Sequence, residues 1–188
     1  MVVYMVSYPE EFPEDSFFRL VDDQPVLVCL DYLYFGKTLR DLKRQYEKNK
    51  FLGLVSGALS SISRFAPFVP EAVVEIPPSL GSKTKRGYDL NNFFSEKIAV
   101  TYSTKNLKVF HSFSRTQQKE LSRVQRKASQ SNLVVDKMWI DCLKQINSIW
   151  VVDDVVTTGS TMKQAFICLK EVNPDLKLFG IAVCGKRF

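Results

Sequence analysis

The segment IWVVDDVVTTGST, residues 149–161, gathers the side chains of this chain best suited to ligand chemistry. Ile149, Trp150, Val151 and Val152 form a short apolar run with the character of a buried strand. In an open α/β sheet such a strand delivers the residues after it to the carboxyl edge, where ligands bind. Here Asp153 and Asp154 come next, then Val155 and Val156, then Thr157, Thr158, Gly159, Ser160 and Thr161. The hydroxyl-rich stretch opens a helix, so an anion seated there meets free backbone N–H groups and the positive end of the helix dipole. Gly159 permits close backbone approach. Two carboxylates would repel a phosphate placed directly on them, so their natural partners are hydroxyl donors. A sugar with a phosphate at one end and a vicinal diol further along, a 5-phosphoribose, satisfies both halves of the segment. Ordinary strand-end and capping residues are the bland alternative, but adjacent buried aspartates are costly without partners.

Those groups need a sheet to hold them. At 188 residues with 45% apolar content, the chain has material for one domain with a buried core. Residues 25–34 (PVLVCLDYLY) have strand composition. From 37 to about 65 the pattern is helical, with Leu39, Leu42 and Tyr46 on one face, and Gly53 and Gly57 are expected to break or bend it. Residues 72–76 read as a strand stopped by Pro77-Pro78, and Asp89 as the N-cap of a helix bearing Phe93, Phe94 and Ile98. Further strands are expected at 107–110, 133–135, 148–152 and 176–184, and further helices at 138–146 and 160–172. Such alternation implies right-handed βαβ crossovers and an α/β fold, its mostly parallel central sheet flanked by helices. The acidic, proline-containing residues 1–24 read as an amino-terminal arm or small cap before a domain at 25–188.

Residues 149–161 resemble the phosphoribosyl pyrophosphate (PRPP) motif of type I phosphoribosyltransferases at every class-defining position. The resemblance implies that family's fold, with Asp153 and Asp154 on the ribose 2′- and 3′-hydroxyls. It implies Val155, Val156, Thr157, Thr158, Gly159, Ser160 and Thr161 around the 5′-phosphate. Residues 72–99 (AVVEIPPSLGSKTKRGYDLNNFFSEKIA) look like the ComF-type competence proteins, in which a strand, prolines and a basic loop precede an Arg-Gly-aromatic triplet, here Arg86-Gly87-Tyr88. That likeness implies pyrophosphate binding by Lys85, Arg86 and Gly87, the arginine offering a rigid fork of donors. Tyr34-Phe35-Gly36 through Lys50 and residues 118–126 (QKELSRVQR) are similar to the same family, so the resemblance runs from about residue 25 to 187. The chain lacks the family's four-cysteine zinc module, has Asp89-Leu90 where the family has Asn-Gln, and has Ser129 near a usual Asn.

The resemblance further implies PRPP binding with Mg²⁺ carried by the ligand rather than by protein side chains, with Asp153, Asp154 and Arg86 acting in phosphoribosyl transfer to a nitrogen acceptor. Two other readings use the same site: a DNA-uptake factor handling single-stranded DNA with PRPP as ligand, and a PRPP-sensing regulator without turnover. The net charge of +6 suits a polyanionic partner of either kind. Arg115, Gln118, Arg123 and Arg126 lie in a basic stretch that reads as a solvated helix face, as a flexible loop closing over PRPP, or as a single-strand binder with Phe110, Phe113 or Tyr88 stacking on bases. His111, the single histidine, reads as a surface or hydrogen-bonded residue rather than a base. Cys29, Cys142, Cys168 and Cys184 are too scattered for a thiolate metal site and read as small buried hydrophobes. No apolar run is long enough for membrane insertion and no signal pattern opens the chain, so a cytoplasmic location is expected.

Overall fold

The computed structural model describes residues 16–45, 47–78, 89–112 and 133–186. Its main sheet has six strands, β1 (Phe17–Val21), β2 (Gln24–Asp31), β3 (Ala72–Glu75), β4 (Lys105–Leu107), β7 (Ser148–Val156) and β8 (Lys177–Gly185), in the order β1-β2-β8-β7-β3-β4. All neighbours pair parallel except β1, which pairs antiparallel with β2 at one edge. The helices are α1 (Tyr32–Arg44), α2 (Lys48–Phe65), α3 (Leu90–Thr101), α4 (Ile140–Gln145) and α5 (Ser160–Val172). A separate antiparallel pair is formed by β5 (Phe110–Ser112) and β6 (Leu133–Val135), and a 3-10 turn at Lys137–Trp139 precedes α4. This is the α/β architecture with a mostly parallel, helix-flanked sheet that strand–helix alternation implies.

The central strands are apolar on both faces because both faces are covered. On one side Val26, Val74, Ile149 and Val151 pack against Met162, Ala165, Phe166 and Leu169 of α5. On the other, Leu27, Val73, Trp150, Val152 and Ile181 pack against Leu42 of α1, Leu54 and Ile62 of α2, and Phe94 of α3. All four cysteines are free; Cys29 and Cys184 are buried, while Cys142 and Cys168 are half-buried against the core. Burial pushes the Cys29 thiol far up and that of Cys184 up to about 12, so neither forms a thiolate near neutrality.

Several sequence expectations change at their boundaries. Residues 17–21, grouped with the amino-terminal arm or cap, are instead the edge strand β1, joined to β2 through a turn in which Asp22 and Asp23 have positive φ. Residues 1–15 lie outside the described residues. The strand expected to run through Tyr34 stops at Asp31, whose carboxylate accepts from the Leu33 N–H at 2.8 Å and caps α1; a good cap outweighs the β-propensity of Tyr32-Leu33-Tyr34. The helical region is interrupted between α1 and α2 rather than at Gly53 or Gly57, both of which lie inside α2. There the packing of Phe51, Leu54, Val55, Ala58 and Ile62 outweighs the roughly 1 kcal/mol that a helical glycine costs. The single strand expected at 107–110 is two strands, β4 in the main sheet and β5 in the small one.

Two glycines test this packing in opposite directions. A Cβ at Gly180 on β8 would sit 2.7 Å from Val26 Cγ2 and 3.1 Å from Phe166 Cζ, so Gly180→Ala should lower stability by about 1–3 kcal/mol. At Gly53 a Cβ meets nothing within 4 Å, and Gly53→Ala should raise stability by about 0.5–1 kcal/mol. Denaturant midpoints of the two variants against the parent protein check both signs.

Candidate functional site

β7 is the strand that carries the aspartate pair, and it runs through Val156, further than the apolar run alone indicates. Its two neighbours treat its end differently. β8 stays paired with it to Val156↔Gly185, whereas β3 pairs only as far as Glu75↔Val152, with one further bond from Ile76 N–H to Val152 O at 2.9 Å. Pro77-Pro78 come directly after and have no N–H to continue the ladder. Among the described residues, 153–156 are thus held on the β8 side and have no strand partner on the β3 side.

The two carboxylates meet different environments. Asp153 is buried; its Oδ1 accepts from Asn91 Nδ2 at 3.1 Å and from the Asp154 N–H at 2.8 Å. Asn91 also donates to Ile76 O at 2.6 Å, tying the end of β3 to the aspartate, and its buried Oδ1 has no hydrogen-bond partner among the described residues. Both acceptors sit on the amide nitrogen, so exchanging the amide's O and N would set oxygen against oxygen twice. Burial pushes the Asp153 carboxyl up to about 7, the charge of Asp154 adding to the rise; hydrogen bonds from Asn91 and the Asp154 backbone and the charge of Lys43 oppose it. Asp154 is ion-paired with Lys43 Nζ of α1 at 2.5 Å, both side chains mostly covered. Glu75 at the end of β3 is a third buried carboxylate, accepting from Ser95 Oγ at 3.0 Å, and burial raises its carboxyl as well.

Beyond β7 the chain turns through an exposed loop into α5. Thr157, Thr158, Ser160 and Thr161 are exposed, and Gly159 is buried with φ of 82°. A Cβ there would stand 2.9 Å from Val21 Cγ2, so glycine is required both for the left-handed backbone and for the approach to β1. Arg19 of β1 donates to the carbonyls of Thr157 at 2.5 Å and Thr158 at 3.0 Å, and Lys163 in the first turn of α5 pairs with Asp22 at 2.6 Å. Gly159 is the N-cap of α5 and offers no side-chain cap. Thr158 Oγ1 and Ser160 Oγ lie 3.1 Å apart at the same turn. The Ser160 N–H already donates to Thr158 Oγ1 at 3.4 Å, so the arrangement can present hydroxyls and the remaining first-turn N–H groups to an anion, close to the carboxylate pair.

Sequence reasoning singles out Asp153, Asp154, Val155, Val156, Thr157, Thr158, Gly159, Ser160 and Thr161, and these run in one stretch from β7 into α5. It does not single out Lys43, Asn91 or Arg19, which hold that stretch from three other elements. Lys85, Arg86 and Gly87 lie outside the described residues, although the chain enters their segment beside Ile76 and leaves it at Asp89, the N-cap of α3. Arg115, Gln118, Arg123 and Arg126 also lie outside the described residues, bracketed by the paired Ser112 and Leu133. His111 is exposed and bonds Asp136 Oδ2 through Nε2 at 2.6 Å, as a surface histidine would. Among the described residues no group of three or more His, Cys, Asp or Glu side chains could hold a metal, and no helix is long and apolar enough to cross a membrane.

No family model matches the chain, and no curated protein matches it. Among solved structures it is similar to the Helicobacter pylori xanthine-guanine-hypoxanthine phosphoribosyltransferase, with a TM-score of 0.43 and 15% identity over 72% of this chain and 72% of that one. A likeness this loose assigns neither site nor substrate.

The environment of Asp153 gives the protein a specific pH signature. A carboxyl whose folded-state value lies above its unfolded one, near 3.8, binds more protons folded than unfolded between the two. Asp153 therefore lowers stability progressively as pH rises from about 4 to about 7, and the loss levels off above that. Asp153→Asn keeps an acceptor oxygen and removes the titration. Its stability relative to the parent should grow across that window and plateau above it; a difference that stays flat from pH 4 to 8 in denaturant melts contradicts the assignment.

Proposed function

We propose that this chain binds PRPP at residues 153–161 and transfers its phosphoribosyl group to a nitrogen acceptor. One observation carries the reading: Asp153, buried, and Asp154, half-buried, stand near the end of β7, which runs directly into a hydroxyl-bearing, glycine-turned loop at the start of α5, whose N-cap supplies no side chain. Thr157, Thr158, Ser160 and Thr161, with the N–H groups of the first turn, would take the 5′-phosphate, and Asp153 and Asp154 the ribose hydroxyls. The unpartnered Oδ1 of Asn91 beside Asp153 supports this, because a sugar hydroxyl is the donor it lacks. Lys43 holds the charge of Asp154, and hydroxyl binding would exchange one partner of that carboxylate for another.

In this mechanism the C1–O bond to pyrophosphate breaks as the nitrogen lone pair forms the C1–N bond, and positive charge develops on the ribose ring. Asp153 and Asp154 orient the ring and favour that charge. Lys85, Arg86 and Gly87, which come after β3, would receive the departing pyrophosphate, and the basic stretch containing Arg115, Gln118, Arg123 and Arg126 would exclude water from the reaction. Asp153 and Asp154 would offer hard oxygen donors to an Mg²⁺ brought in with the ligand, although Lys43 already neutralises Asp154. Bound there, it would offset the charge of the pyrophosphate leaving group. The ComF-type likeness of residues 72–99 supports the same reading.

Calorimetric titration with PRPP and Mg²⁺ tests the proposal. Binding should weaken about tenfold or more in Asp153→Asn/Asp154→Asn and in Thr158→Ala/Ser160→Ala, because each removes charge-assisted or phosphate hydrogen bonds. Equal affinity in all three proteins, or no binding by the parent, rejects it. Pyrophosphate release from PRPP with a panel of nitrogen acceptors then separates transfer from binding alone.

A further inference from the structure

The position of α1 places a second group of charges at the carboxyl edge. The helix leaves β2 at Asp31, yet Lys43 in its last turn reaches Asp154 on β7, with β8 lying between those two strands. It therefore crosses over the end of β8. Beside its first turns lies a cavity of about 520 Å³ lined by Asp31, Tyr32, Leu33, Lys37, Arg40 and Lys186, the last residue lying just beyond β8. This cavity stands at the ends of β2 and β8, on the opposite flank of β7 from β3.

Three of its six lining residues are cations, and none of Lys37, Arg40 and Lys186 pairs with a carboxylate among the described residues. Asp31, the one acid in the lining, is only 7% exposed and caps the Leu33 N–H. The cations are positioned rather than merely crowded. Arg40 donates to Tyr32 Oη at 3.2 Å and lies 5.7 Å from the Tyr32 ring centroid, and Lys186 Nζ lies 5.8 Å from the same centroid. The ring can occupy that place because residue 36 is glycine: a Cβ there would stand 2.8 Å from Tyr32 Cδ1 and Cε1. Leu33, 79% exposed, adds an apolar surface to the lining. The shared ring offsets only part of the repulsion between two like charges, and a carboxylate between them would relieve it further.

We propose that this cavity recognises the acceptor, and that the acceptor is a small nitrogen heterocycle bearing a carboxylate. Arg40 and Lys186 bind the carboxylate, the guanidinium fork matching its planar pair of oxygens, and Leu33 covers the ring. The acceptor role rests on the PRPP reading and on the position of α1, whose Lys43 meets Asp154 one turn from Arg40. Anion binding in the cavity does not depend on that reading.

The test titrates the intact protein with orotate and nicotinate, with the uncharged uracil and nicotinamide, and with inorganic phosphate, each without and then with PRPP and Mg²⁺. The carboxylated rings should bind at least tenfold more tightly than their uncharged counterparts, and Arg40→Gln/Lys186→Gln should remove that preference. Both residues are exposed, so the variant should fold, and its circular dichroism should match the parent. Carboxylated and uncharged rings binding alike, a preference the variant retains, or phosphate binding more tightly than either carboxylate overturns the proposal. If the carboxylated rings bind through Arg40 and Lys186 but PRPP does not bind at all, the anion site stands while the acceptor role falls with the function on which it rests.

Discussion

Two adjacent carboxylates at the end of a buried central strand govern how the carboxyl edge of this molecule is built. Charge removed from water must be neutralised, hydrogen-bonded or protonated, and side-by-side aspartates cannot both take the same route. Asp153 takes hydrogen bonds from Asn91 and the Asp154 backbone, and its proton affinity rises. Asp154 takes a cation, Lys43. Each solution demands something of a distant element. Lys43 arrives only because α1 crosses the end of β8, and Asn91 only because α3 starts beside the end of β3.

The loop after the carboxylates is governed from the other end of the sheet order. β1 is the edge strand, yet Arg19 holds two carbonyls of the loop, Val21 closes against Gly159, and Asp22 pairs with the first turn of α5. An antiparallel strand added at the edge of a parallel sheet would ordinarily be read as protection of that edge. Here its side chains also fix the backbone carbonyls of Thr157 and Thr158, leaving the hydroxyls of the same residues exposed.

Legibility in the sequence depends on the range of the interactions involved. The apolar start of β7, the aspartates, Gly159 and the apolar face of α5 lie within residues 149–172, where periodicity and turn chemistry act locally, and the sequence places them as the structure does, except that β7 continues past the expected end at Val152 to Val156. The cap at Asp89 is equally local. Arg19, Lys43 and Asn91 carry no such mark: Arg19 meets its acceptors 138 and 139 residues away, and Asn91 meets Asp153 across 62. A lysine late in an amphipathic helix and an asparagine in a helix's first turn are ordinary at their own positions, and only the sheet order makes them partners of the aspartates. The boundary errors have the same origin. Residues 32–34 look like strand until Asp31 is seen as a cap, and residues 107–110 look like one strand until two sheets claim its ends.

The asymmetry at the end of β7 joins stability to function. Trp150, Val151 and Val152 are fully buried and anchor the strand in both cores, and β8 keeps it in register as far as Val156. That support carries several local costs: a buried carboxyl with a raised proton affinity, an asparagine oxygen without a donor, and a left-handed turn at Gly159. A strand paired on both sides to its end would have no opening for a ligand, and one released on both sides would not hold its carboxylates in place. Pairing on the β8 side, with no described strand pairing residues 153–156 on the β3 side, meets both requirements.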